Sequence, residues 1–83
     1  MRVQFHPDVS KQLQRLPRPT FARVLNTIIT LGREPRPSGV KKLLGSTSGW
    51  RIRIGEYRIL YEIDDSAGTV TVYSVAHRRE SYR

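Results

Sequence analysis

From Gly49 onward the chain runs GWRIRIGEYRILYEIDDSAGTVTVYSVAHRRESYR, and its hydrophobic rhythm leaves little room for anything but β-structure. Trp50, Ile52 and Ile54 alternate with Arg51 and Arg53, the period of a strand with one buried and one wet face. The spacing predicts strands at Trp50–Ile54, Tyr57–Ile63 and Thr69–Ala76, with Asp64-Asp65-Ser66-Ala67-Gly68 as the turn before the last. The Gly55-Glu56 connection is short enough to fold Arg58 back towards Arg53. Like charges directly opposed across a strand pair destabilise the pairing. A sheet that tolerates them has a polyanion to place there, or else a solvated outer face neutralised by Glu56 and Glu62.

The first half reads as a strand and two helices. Arg2–His6 alternates, with Val3 and Phe5 on one side. Pro7 suits a first helical turn, where its missing N–H costs nothing, and Val9, Leu13 and Leu16 then form one apolar stripe. Pro17 and Pro19 break that helix. Thr20 is the expected N-cap of a second, carrying Phe21, Val24, Leu25, Ile28 and Leu31, with Gly32 as its stop. A Pro-rich connector, Arg33–Gly39, leads to a short extended segment within Val40–Leu44. The expectation is one domain over residues 1–83 with an α+β fold, ordered β-α-α-β-β-β. Its N-terminal strand and helical hairpin would pack on one face of an antiparallel sheet, leaving the arginine face open.

Eighty-three residues sit near the lower end of what one core can support. Without cysteine there is no disulfide or thiolate site, and with two histidines a metal centre is not expected. No cofactor is implied, and no apolar run reaches the ~20 residues that span a bilayer, so a cytoplasmic protein is expected. The formal charge of +8 points to an anionic partner. Residues 1–48 carry nine Lys or Arg against two acids, while residues 49–83 carry six against five. The first half therefore supplies a diffuse steering field, in which Lys41 and Lys42 are candidate RNA- or phosphate-binding residues. The strand arginines are a local cluster in a nearly balanced segment.

The segments LLG…GWRIRIGEYRILYEID…VTVYSVAHRRESYR resemble the RelE toxins of bacterial and archaeal toxin–antitoxin pairs, most specifically in WRIRIGEYR and HRRE-x-Y. The resemblance covers nearly the whole chain. It implies metal-independent cleavage of messenger RNA in the ribosomal A site, and restraint by a cognate RelB-like antitoxin, acidic enough to complement +8, in a hetero-oligomer. Such cleavage uses the ribose 2′-hydroxyl against its neighbouring phosphate, and requires a base, charge stabilisation and a proton for the leaving oxygen. Arg58 is the first choice for gripping the phosphate, with Arg51 and Arg53 beside it. The family motif places Arg78 near the leaving group and Tyr82 on a base, with Arg79 a further phosphate or antitoxin contact. Relatives carry lysines where Arg51 and Arg53 stand, one of them proposed as the general base. Arginine, with a pKa above ~12, does not fill that role. His77 is then the one candidate the sequence offers for moving a proton near neutral pH. Two other functions share the scaffold: a ParE-like inhibitor that binds DNA gyrase, and a degenerate toxin that only binds RNA and antitoxin.

Overall fold

A computed structural model describes residues 1–45, 48–77 and 79. The elements are β1 (Arg2–Phe5), α1 (Pro7–Gln14), α2 (Arg18–Leu31), β2 (Lys41–Lys42), β3 (Gly49–Ile54), β4 (Tyr57–Asp64) and β5 (Thr69–His77). Helix α1 begins behind His6, whose Nδ1 accepts the Asp8 N–H at 3.2 Å, with Pro7 in the first turn. Helix α2 starts two residues before the expected Thr20. Its first turn contains Pro19, whose absent N–H would have had no helical partner there, and no side chain caps it. Gly32 ends α2 in ordinary right-handed geometry, φ −65°, so it is not a left-handed cap. Close approach explains it better, since a Cβ at this position would stand 3.1 Å from Val3 Cγ2 and 3.2 Å from the Met1 carbonyl oxygen.

The five strands form one sheet in the order β1-β5-β4-β3-β2. Strands β2 to β5 pair antiparallel, but β1 runs parallel to β5, from Arg2 opposite Thr69 to Phe5 opposite Val72. The α+β expectation stands, while the sheet is mixed and not antiparallel throughout. Alternation in RVQFH shows that a strand exists but carries no information about its direction. Both helices lie on one side of the sheet. Val9, Val24, Ile28 and Leu31 pack there against Ile54, Ile59, Tyr61, Ile63, Val70, Val72 and Val75, each 7% exposed or less.

One irregularity decides which way the end of β5 faces. Leu60 pairs with Ser74 but Tyr61 pairs with Val72, which leaves Tyr73 as an extra residue in β5. Such a bulge shifts everything beyond it by one position, and a one-residue shift exchanges the two faces of a strand. Val72 and Val75 both reach the core although three residues apart. Gln12 supports the bulge, its Oε1 accepting the Val75 N–H at 2.7 Å.

The connector between α2 and β2 is tied down at three points. The Tyr61 hydroxyl donates to the Pro35 carbonyl at 2.8 Å, Arg36 pairs with Asp65 at 2.9 Å, and the same guanidinium lies 5.4 Å from the Trp50 ring centroid. Burial pushes the Tyr61 hydroxyl up to about 12, partly opposed by the Arg36 charge. In the unfolded chain a tyrosine titrates near ~10. The unfolded state thus gives up this proton first, and stability must fall as pH rises from about 10 to about 12. Tyr61→Phe is expected to lose about 1 kcal/mol at neutral pH and to flatten that alkaline decline. Urea unfolding at several pH values checks both effects.

Candidate phosphate-binding site

The β3–β4 hairpin closes through two residues, with Gly55 at φ +58°, a left-handed conformation that glycine adopts without strain. This loop fixes the register that sets Arg53 directly opposite Arg58 and, on the other face, Ile52 opposite Ile59. Ile59 is fully buried under the helices, so the arginines lie on the uncovered side. The Arg53 Nε–H donates to the Gly55 carbonyl at 3.2 Å, which holds that side chain beside the turn. Lys41 enters from β2, opposite Arg51. Gly39, Lys41, Arg51, Arg53 and Arg58 line a cavity of about 180 Å³. Arg51 and Arg58 are half-buried, Arg53 is exposed, and no carboxylate is among the described residues that line the cavity.

The opposite end of the same face has the reverse sign. A larger concavity of about 630 Å³ is lined by Glu62, Asp64 and Asp65, together with Gln4 and several hydroxyl residues. Its size would make it the default choice for a ligand, but three carboxylates repel phosphate, so the smaller basic cavity is the better anion site. Tyr73, half-buried near Glu62, has its hydroxyl pushed up by burial first and by that carboxylate second.

The remaining expected residues divide. Lys42 follows Lys41 in the strand and so takes the other face, with its Nζ 5.9 Å from the Trp50 ring centroid. It joins Lys41 and Arg51 only in a shallow groove along the β2 edge. Arg79 is exposed beyond β5, and its N–H donates to His77 Nδ1 at 3.3 Å. His77 needs correcting. It stands opposite Tyr57, whereas Arg58 stands opposite Ala76, so the imidazole belongs to the helix-covered face. There it meets the Tyr57 ring edge-on, with centroids 5.4 Å apart. A general base must lie within hydrogen-bond reach of the proton it removes, and the bulge at Tyr73 turns His77 away from the arginine cavity. Arg78 and Tyr82 lie outside the described residues. Lys41 lines the cavity through its pairing with Arg51, a position that the sequence pattern alone does not separate from that of Lys42.

The ParE toxin family of the type II parDE systems matches residues 3–82 of this chain. The chain belongs to that family, within the RelE/ParE superfamily of toxins. This toxin is 36% identical to toxin RelG of Mycobacterium tuberculosis, over 98% of its own length and 94% of the relative's. A RelE–RelB complex from Pyrococcus horikoshii contains a chain that it matches at TM-score 0.83 and 32% identity, covering 93% of each. The toxin–antitoxin complex RelBE2 of Mycobacterium tuberculosis gives 0.79 and 34%, covering 93% of this toxin and 96% of that chain. The family model carries the ParE name and the similar proteins carry RelE and RelG names, so the family by itself does not choose between their activities. Among the described residues of the toxin, no group of three or more His, Cys, Asp or Glu could hold a metal, and no helix is long and apolar enough to cross a membrane.

Proposed function

We propose that this toxin is a metal-independent endoribonuclease that cuts messenger RNA in the ribosomal A site through 2′-hydroxyl attack. The observation that carries the reading is the basic cavity walled, among the described residues, by Lys41, Arg51, Arg53 and Arg58. Preorganised cations aimed at a phosphate stabilise the extra charge of a pentavalent transition state, and guanidinium forks hold two oxygens at once. Opposed Arg53 and Arg58 place two guanidinium groups side by side, a spacing suited to the oxygens of one phosphate. Arg78 and Tyr82, by their motif positions, complete the site at the leaving group and the base. The partner proposed under this reading is an acidic RelB-like antitoxin, supported by the +8 charge and by relatives solved as RelE–RelB complexes.

Purified toxin added to ribosomes programmed with a defined messenger is expected to leave fragments ending in 2′,3′-cyclic phosphate. Intact messenger would overturn the reading. The ParE name of the matching family favours a second one, inhibition of DNA gyrase. It predicts gyrase-linked DNA breaks on expression, with messenger left whole.

A further inference from the structure

We infer that Lys41 is the general base of this site, the group that takes the proton from the attacking 2′-hydroxyl. The inference rests on the RNA-cutting reading and goes beyond it by naming the residue for a role that the sequence left open. Among the described residues four cationic side chains line the cavity, and three of them are guanidinium groups from Arg51, Arg53 and Arg58. A guanidinium keeps its proton in proteins, with a pKa above ~12, whereas an ammonium has an accessible neutral form with a basic lone pair. Only the lysine among these four can alternate between the two states.

His77, Tyr57 and the acids at the Glu62–Asp65 end of the sheet lie elsewhere. His77 and Tyr57 pair with each other on the helix-covered face. Glu62, Asp64 and Asp65 gather at the far end of the open face, and none lines the basic cavity. The charged groups that share the cavity with Lys41 are Arg51 and Arg53 from β3 and Arg58 from β4, while Lys42 takes the opposite face of β2.

The approach of Lys41 is also built and not incidental. Its strand is the two-residue edge β2, which follows directly on the connector pinned through Pro35, Arg36, Asp65, Tyr61 and Trp50. The Val40 N–H closes the last turn of that connector on the Pro37 carbonyl at 3.2 Å, around Gly39 at φ +88°. A basic side chain carried on a fixed backbone keeps its distance to a phosphate held by the arginines.

The step balances as follows. Neutral Lys41 Nζ accepts the 2′-hydroxyl proton and becomes an ammonium. The 2′-oxygen forms its bond to phosphorus as the bond from phosphorus to the 5′-oxygen breaks, which leaves a 2′,3′-cyclic phosphate. The departing 5′-oxygen takes a proton from water, and the ammonium returns its proton to the hydroxide so formed. The three guanidiniums stay charged throughout and face the phosphoryl oxygens as negative charge builds on them.

Single-turnover cleavage of ribosome-bound messenger, measured from pH 6 to 9, tests this. For the unmodified toxin the rate is expected to rise about tenfold per pH unit across this range. Lys41→Arg keeps the charge and removes the base. It should bind ribosomes as before, lose about 10²–10⁴-fold in rate and lose that rise. Lys41→Ala should recover part of its rate when a small primary amine is added, which a charge-only or structural role would not allow. Cleavage by Lys41→Arg at the original rate with the original profile would overturn the assignment while leaving the nuclease reading intact. If the unmodified toxin cuts nothing, the nuclease reading falls, and the assignment with it.

Discussion

Arg58→Ala should abolish most cleavage without weakening the protein. Arg58 sits inside β4, opposite Arg53 on one side and Ala76 on the other, and it lines the same cavity as Lys41 and Arg51. Removing one preorganised donor from a charge-stabilising site costs about 10²–10³ in rate, or about 2.7–4 kcal/mol. The same substitution removes one member of a directly opposed like-charge pair, an arrangement unfavourable to strand pairing. The thermal midpoint is therefore expected to hold or rise slightly while activity collapses. Cleavage assays on programmed ribosomes and a melting curve of the same preparation check the two halves. A fall in both would mean that Arg58 acts through the fold. The pH profile adds a further contrast, since Arg58→Ala should keep the rise with pH that Lys41→Arg loses.

The second large effect is on the fold itself. Ile28 is 1% exposed in the middle of α2, at the contact between the helices and the sheet. Ile28→Ala removes buried methylene and methyl groups and leaves a void, at a cost of about 2–5 kcal/mol. Domains of this size have little in reserve, with total stabilities of about 5–15 kcal/mol and small ones near the low end. Each kcal/mol corresponds to roughly 4–8 °C in a domain of 60–100 residues, so the midpoint should drop by well over ten degrees or the protein should fail to fold. Ile29 is the neighbouring control. It is 55% exposed, and Ile29→Ala should stay within about 0.5 kcal/mol of the original.

Local periodicity carried most of the architecture. The alternation through Trp50–Ile54 placed both the strand and its wet arginine face, and the brevity of Gly55-Glu56 placed Arg58 opposite Arg53. What escaped the sequence was the part fixed by long-range geometry. The direction of β1 depends on where two helices return the chain, and the pattern RVQFH does not encode that. The misplacement of His77 has a single physical cause. With regular pairing from the Asp64–Thr69 end, position 75 would lie opposite Arg58, and His77 would have shared the arginine face. The extra residue at Tyr73 reversed that parity. A trace was legible, since the valines fall at 70, 72 and then 75, a broken alternation that marks a bulge. The difference between Lys41 and Lys42 was illegible for another reason. Two lysines after a proline-rich connector read as solvent-exposed charge until the β2–β3 register separates Lys41 from Lys42.

The parallel pairing of β1 with β5 also governs when this protein can exist at all. Residues 2–5 find their partners only at residues 69–72, nearly the full length of the chain away. Contacts of such wide sequence separation form late, because the loop they close must be ordered before the pairing stabilises it. A growing polypeptide that ends short of residue 69 leaves β1 without its neighbour and β4 with a bare flank beside Arg58. The sheet that carries the cationic cavity is thus completed only when residues 69–77 take their place between β1 and β4.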